Sequence, residues 1–310
     1  MRAVVIDDFG ALAALADLPK PQPETGEVLV RVSASSINGF DVAVAGSMLQ
    51  GMMDHRFPVV LGKDFAGVVE AVGDQASRFT VGDEVFGVVM KPYLGDGGFG
   101  EYLCVEENNC VTRPPAGLSA ATAGALGLAA TAAFNAVAAV APTKGETVLV
   151  AGATGGVGAY AVQMLAASGA EIIATAKPGA ETDFVRDLGA AQTVDYTGDV
   201  AAQVRRLAPD GVNAVLHFAG DGSGLVPLLA TGGRLASTLG FGPDAAARAD
   251  IAVTAVMANP DVETLDQLAA DTVAGRLRVP VTRSYSLAEV PQALTDFAAG
   301  SIGKLAVTFD

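Results

Sequence analysis

Val148-Leu-Val-Ala-Gly-Ala-Thr-Gly-Gly-Val-Gly158 decides the fold. An apolar run of strand length ends in a glycine-rich turn, and the turn opens into the helical pattern Ala159 to Ala167. Gly155 lets main chain approach a ligand with no side chain between them, and Gly158 lets the helix pack closely on the strand. The first amides of such a helix have no partner within it and attract an anion. Strand, turn and helix in this order predict a dinucleotide site built on Ala153, Thr154, Gly155, Gly156, Val157 and Gly158. Ala153 stands where the G-x-G-x-x-G pattern has its first glycine.

Working outward, the alternation continues. Val148 to Ala151, Ile172 to Thr175, Thr193 to Tyr196, Ala214 to Phe218, Arg234 to Thr238 and Ile251 to Met257 read as strands separated by helix-length segments. That pattern predicts a parallel sheet with right-handed crossovers and the strand number of a complete doubly wound dinucleotide fold. Upstream the texture is β-rich, with strand-like runs at Arg2 to Ile6, Glu27 to Ser35, Val59 to Val72, Glu84 to Val89 and Gly100 to Val105. Past Val279 that texture returns, with an amphipathic helix at Leu287 to Ala299 and a closing strand at Leu305 to Phe309. The expected class is α/β: a doubly wound domain at 118–278, and a β-rich domain made of 1–117 and 279–310. A chain of 310 residues suits two domains.

At the end of the second strand of a dinucleotide fold, a carboxylate would select the ribose of NAD. The chain reads Ile172-Ile-Ala-Thr-Ala-Lys177-Pro178 there, with no acid. Thr175 and Lys177 offer a hydroxyl and an ammonium to a 2′-phosphate, so NADPH is favoured over NADH, although a solvated lysine is the plainer reading of Lys177.

Composition narrows the partners. A net charge of −15 repels a phosphate backbone and argues against nucleic acid. Mean hydropathy is +0.41, yet the richest run, Ser119 to Ala141, consists of alanine and small residues between Pro115 and Pro142. It reads as a close-packed buried helix rather than a lipid-facing one, so no membrane is expected. Asp7 and Asp8 directly after a short apolar run lack the layout of a secretory signal, and a cytoplasmic setting is expected. Two cysteines, Cys104 and Cys110, and two histidines, His55 and His217, do not make a tetrahedral Cys/His zinc site or a disulfide framework. A small-molecule acceptor is the remaining partner class.

The motifs flanking the turn carry a resemblance. They are Ser36-Ile-Asn-Gly-Phe-Asp41, Pro58-Val-Val-Leu-Gly-Lys-Asp-Phe-Ala-Gly67, Val81-Gly-Asp-Glu-Val85, Gly97-Gly-Phe-Gly-Glu-Tyr102, Ala130-Thr-Ala132 and Gly303-Lys304. In this order, over nearly the whole chain, they resemble the zinc-independent quinone oxidoreductases, the zeta-crystallin-like branch of the medium-chain dehydrogenase/reductases. The resemblance implies a GroES-like domain, a Rossmann domain and a substrate between them. By matched position it implies that Asn38, Thr131 and Phe241 line the nicotinamide and substrate end, and that Thr154 to Val157 hold the phosphates. Lys177 and Tyr196 would then flank the 2′-phosphate, Phe218, Ala219, Gly220 and Gly240 would border the nicotinamide ribose, and Lys304 would join the cofactor contacts.

Departures from the wider family matter as well. Zinc-using relatives place a cysteine and a His-Glu pair where this chain has Asn38-Gly-Phe-Asp41 and Gly62-Lys-Asp64, and they carry a four-cysteine lobe that is missing here. Ala43 stands where several quinone reductases have an aromatic side chain. His217 takes the place of a frequent acid and reads as a sheet-end histidine held by a backbone group. No catalytic acid can be placed. The expected reaction is hydride transfer from NADPH to a quinone or similar electron-poor acceptor without metal. An enoyl or alkenal reductase stays open, as does a low-turnover NADPH-binding protein of crystallin or sensor type. The apolar run 250–257 is expected to pair with a second copy in a homodimer.

Overall fold

In the computed structural model, which describes residues 1–309, the chain is shared between two units. Met1–Leu128, Pro260–Gly275 and Val281–Asp310 form the first, and Ala129–Asn259 with Arg276–Pro280 form the second.

The second unit is built on the glycine-turn strand, Thr147–Ala151. Glu171–Thr175 and then Gln192–Val194 lie to one side of it, and Val212–His217, Leu229–Ser237 and Ala252–Ala255 to the other, every neighbouring pair parallel. Counting along the chain, the spatial order is third, second, first, fourth, fifth, sixth, the order of a Rossmann sheet. Val148, Leu149, Val150, Ile172, Ile173, Val215 and Leu216 are all buried. Strands covered on both faces need such unbroken apolar runs, and each of these side chains contributes about 2 kcal/mol on leaving water. Helix Gly156–Ser168 fills the first crossover and stops at Gly169, whose φ of +78° is cheap only for glycine. Asp199 starts helix Val200–Leu207 by accepting from the Ala202 amide.

Two of the expected strands are shorter than read. The third ends at Val194 because the Asp195 carboxylate accepts from the Thr197 amide and hydroxyl and turns the chain, which frees Tyr196 from the ladder. The sixth covers only Ala252–Ala255 and lies at the sheet edge, mostly exposed.

The first unit is the β-rich, GroES-like one. Its larger sheet runs Val111–Thr112, Glu84–Val88, Asp64–Val72, Glu27–Ser36, Lys304–Thr308, Val281–Ser286, with Tyr102–Glu106 also pairing Glu27–Ser36. A smaller sheet joins Ala14–Asp17, Arg2–Ile6 and Val59–Val60. Val28, Val30, Phe65, Phe79, Leu103 and Val111 pack one core of this unit. The run 59–72 is not one strand. It breaks around Gly62, which has a φ of +102° and where a Cβ would fall 2.6 Å from the Phe99 amide nitrogen. The break carries Lys63 and Asp64 into the interior.

Nor is 119–141 one helix. Ala120–Ala123 ends at Gly124, where a Cβ would sit 2.8 Å from the Ala34 carbonyl carbon, and Gly127–Val140 begins anew with Phe134 exposed. The helix Val262–Val273, expected with the dinucleotide domain, falls in the first unit instead. There Thr112 Oγ1 donates to Asp266 Oδ1 at 2.6 Å, and Cys110 Sγ donates to Pro260 O at 2.9 Å. Both cysteines are buried and free. Among the described residues no helix is long and apolar enough to cross a membrane.

Candidate functional site

Ligands of a doubly wound sheet bind outside the carboxyl ends of the strands, where the order reverses. Here that switch point lies between Thr147–Ala151 and Val212–His217, and the glycine turn leaves the first of them. Gly152, with a φ of +85°, makes the bend that Ala153 cannot, and Ala153 itself is fully buried. A Cβ on Gly158 would lie 2.1 Å from the Gly152 carbonyl oxygen, so only glycine lets the helix start so close to the strand. Gly155 is different. Its Cβ would meet only the Gly152 carbonyl oxygen, at 3.6 Å, so the space beside it is open. Gly155 is also the N-cap of helix Gly156–Ser168, which has no side-chain cap and no acid in its first turn. Unsatisfied amides beside open space are what a diphosphate requires. The Thr175 hydroxyl accepts from the Gly152 amide at 2.9 Å and donates to Val150 O, bracing the turn from behind.

The neighbouring strand ends carry the other expected residues. Lys177 follows the second strand, and its Nζ lies 5.1 Å from the centre of the Tyr196 ring, which follows the third. Between them stands a carboxylate that the sequence reading does not place there. Glu181, in the first turn of helix Ala180–Asp187, accepts from Tyr196 Oη at 3.0 Å and from the Lys177 amide at 2.9 Å. Its Oε1 also lies 4.0 Å from Lys177 Nζ. The Tyr196 hydroxyl, followed by the Glu181 charge, holds the Lys177 ammonium above its ordinary pKa.

Past the fourth strand, buried His217 is held as expected. Its Nε2 faces Gly220 O at 3.1 Å, which requires an N–H there, so Nδ1 accepts from Ser237 Oγ at 2.9 Å. The Ser237 oxygen in turn accepts from the Leu239 amide. His217 thereby ties the loop Phe218 to Gly220 to the end of the fifth strand. The Phe241 ring meets the His217 ring edge-on at 6.0 Å, and a Cβ on Gly222 would be 2.8 Å from the Phe241 ring. Gly240, with φ +76°, turns the chain into that ring. Thr131 is wholly buried in helix Gly127–Val140.

Two further expected residues lie in the first unit, inside a network of buried charge. Lys304 is 2% exposed; its Nζ donates to Asn38 Oδ1 at 2.7 Å and to Ile37 O at 3.0 Å, and pairs with Asp64 Oδ2 at 3.6 Å. Asn38 Nδ2 donates to Asp64 Oδ2 at 2.9 Å and to Ser36 O. Ser36 Oγ and the Leu128 amide also donate to Asp64. Both amide hydrogens and the oxygen of Asn38 are thus engaged. Lys304, expected among the coenzyme contacts, makes these three contacts inside the network. Lys63 is buried beside it, donating to Val89 O at 2.6 Å with its Nζ 4.8 Å from the centre of the Phe40 ring, and burial lowers its pKa.

Asp41 accepts from the Asn38 amide at 2.8 Å. Burial, more than the nearby Asp64 charge, pushes its carboxyl up to about 7, against the pull of that hydrogen bond and of Lys304 and Lys63. A folded-state pKa above the unfolded value of 3.8 gives stability that is complete below the lower value and is lost as pH rises through the upper one. Asp41→Asn keeps an acceptor for the Asn38 amide but removes the titration. Urea titrations between these pH values should show the variant losing less stability than the parent, by an amount on the order of 2–4 kcal/mol. Parallel profiles would mean that Asp41 does not titrate in this window.

Comparison with known proteins fits this geometry. An alcohol dehydrogenase GroES-like domain model matches residues 24–115, a zinc-binding dehydrogenase model matches 188–307, and an NAD-dependent epimerase/dehydratase model matches 148–227. The chloroplastic quinone-oxidoreductase QR1 of Triphysaria versicolor is 33% identical over 230 residues, 71% of this chain and 68% of that one. The chain belongs to the quinone oxidoreductase type of medium-chain dehydrogenase/reductase. Among solved structures, the quinone oxidoreductase of Coxiella burnetii superposes with a TM-score of 0.90 at 25% identity, covering 99% of each chain. A mycobacterial protein solved with NADPH superposes with a TM-score of 0.86 at 25% identity, covering 99% of this chain and all of that one.

The zinc in the name of one matching model does not suit the residues of this family member. The Asn38 amide is fully hydrogen-bonded, Lys63 Nζ is already committed to Val89 O, and among the described residues no group of three or more His, Cys, Asp and Glu side chains gathers to hold a metal. A nicotinamide coenzyme does suit them. Thr154 to Gly158 would hold its diphosphate, Lys177, Glu181 and Tyr196 would surround its adenosine ribose, and Phe218 to Gly220 with Phe241 would border the nicotinamide end. The sequence reading missed Glu181 and the partners of Lys304. Spacing carries a signal for the first alone, since Glu181 stands four residues past Lys177 at a helix start.

Proposed function

We propose that this protein is an NADPH-dependent, metal-independent reductase of quinones and other electron-poor conjugated carbonyls. The observation that carries the reading is the open space beside Gly155 at the uncapped start of helix Gly156–Ser168, on the switch point of the sheet. The bound coenzyme supplies the hydride, and the protein supplies geometry. The turn amides hold the diphosphate, while Lys177 and Tyr196 offer an ammonium and a hydroxyl to a 2′-phosphate. His217, as the Nε2–H tautomer, is a positioning residue that holds the Phe218 to Gly220 loop and backs the Phe241 ring. That ring is suited to line an apolar acceptor pocket. With no side-chain acid assigned, the proton that follows the hydride comes from water or from a ribose hydroxyl of the coenzyme. Alignment of acceptor and coenzyme then accounts for most of the rate. The edge strand Ala252–Ala255, exposed and unpaired on its outer side among the described residues, suits pairing with a second copy.

Rapid mixing of protein, NADPH and a panel of quinones and enones, with and without a chelator, tests the proposal. Loss of the reduced-nicotinamide absorbance with at least one quinone, unchanged by the chelator, is expected. Turnover restricted to enones would move the acceptor class, loss of activity in chelator would restore a metal, and tight NADPH binding with no turnover on any acceptor would leave a binding protein.

A further inference from the structure

We propose that Glu181 tunes coenzyme choice, by competing with a 2′-phosphate for Lys177 and Tyr196 and by offering an acceptor to an unphosphorylated ribose. The inference rests on the reading that a nicotinamide coenzyme lies along the strand ends. Lys177 and Tyr196 are the cation and hydroxyl at the ends of the second and third strands, and both are already directed at one carboxylate. Tyr196 Oη donates to Glu181 Oε1 at 3.0 Å, Lys177 Nζ lies 4.0 Å from the same oxygen, and the Lys177 amide donates to Oε2 at 2.9 Å. Glu181 is the most sheltered of the three, its side chain 17% exposed against 50% for Lys177. The amide bond to Oε2 holds the carboxylate in place even when the flexible lysine moves.

A 2′-phosphate carries close to two negative charges. To reach the ammonium and the phenol it must either take over their contacts with Glu181 or lie within a few ångströms of a like charge, and both weaken its binding. An unphosphorylated ribose meets the opposite situation. Its 2′-hydroxyl finds a fixed carboxylate, the partner that selects NAD in doubly wound folds, reached here from the first turn of the following helix instead of from the strand end. The two chemistries share one pocket. Lys177 favours the phosphate, Glu181 opposes it, and the balance narrows the preference for NADPH over NADH.

The test is the ratio of dissociation constants for NADPH and NADH, measured by calorimetry on the full chain for the parent, Glu181→Gln and Lys177→Ala. Glutamine keeps one oxygen, for the Lys177 amide or the Tyr196 hydroxyl, and replaces the charge and the other acceptor with an NH2 donor. Glu181→Gln should shift the ratio toward NADPH by about tenfold, through tighter NADPH and weaker NADH, and the shift should shrink in high salt. Lys177→Ala should shift the ratio the other way. If every variant binds both coenzymes and Glu181→Gln leaves the ratio within a factor of two, the inference is overturned while the coenzyme site stands. If the parent binds neither coenzyme, the underlying reading falls first. Equal tightening of both coenzymes in Glu181→Gln would assign the carboxylate a general electrostatic effect and would also overturn the inference.

Discussion

Gly155→Val should leave the melting temperature of the coenzyme-free protein almost unchanged while abolishing the rise that NADPH produces. The backbone at Gly155 has φ −74° and ψ 172°, an extended conformation that valine adopts readily. A side chain there points into space bounded only by one carbonyl oxygen at 3.6 Å. The folded protein therefore loses little. A diphosphate seated on the amides of the following helix turn would need that same space, and a branched side chain excludes it. A ligand that binds only the folded state, at about a hundred times its dissociation constant, contributes about 2.7 kcal/mol. For a chain of this size that is a rise of roughly 5 °C, and its disappearance is easily read. Gly158→Ala serves as the contrast. Its Cβ would stand 2.1 Å from the Gly152 oxygen, so this variant should melt lower with or without NADPH. Retention of the NADPH shift in Gly155→Val would move the diphosphate off the turn and take the coenzyme assignment with it.

That the turn could be found from residues alone follows from how local it is. Strand, bend and helix start are contiguous, and each glycine answers a steric demand set by atoms a few residues away, such as the Gly152 oxygen facing Gly158. The parallel strands were legible for a similar reason, because burial on both faces requires an unbroken apolar run. The places where reading fails share the opposite property. Glu181 reaches Lys177 and Tyr196 only because the chain reverses at Gly179, φ +95°, and brings the next helix back over the strand end. A search for acids confined to the strand's last residues passes over it. The break around Gly62 hides within an apolar run, since what forces it is the Phe99 backbone arriving from another part of the chain. Lys304 is the extreme case. It meets Asn38 across 266 positions, and only the pairing of Lys304–Thr308 with Glu27–Ser36, with Ala306 opposite Ser36, makes them neighbours. Spacing holds no trace of such a contact, whereas matching positions to a family places the residue without revealing what it touches.

Lys304→Met should cost about 3–5 kcal/mol of stability, the range for removing one partner of a buried ion pair and leaving the other charged. Against a total of 5–15 kcal/mol that is enough to lower the denaturation midpoint markedly. The cause lies in what remains behind. Methionine fills most of the stem's volume, so the loss is electrostatic more than steric, and it leaves Asp64, fully buried, facing Asp41 without its nearest cation. The Asn38 oxygen and the Ile37 carbonyl lose a donor as well. Adding Asp64→Asn removes the stranded charge. The double variant should therefore recover part of the loss, and the double-mutant cycle should give a coupling of about 1–3 kcal/mol between the two side chains. Burial lowers the pKa of Lys304, and the Asp64 and Asp41 carboxylates work against that shift. A coenzyme contact at Lys304 predicts the reverse signature, an unchanged midpoint in the coenzyme-free protein and a weakened affinity for NADPH. The two measurements on one variant thus separate a lysine that holds the first unit together from one that holds a ligand.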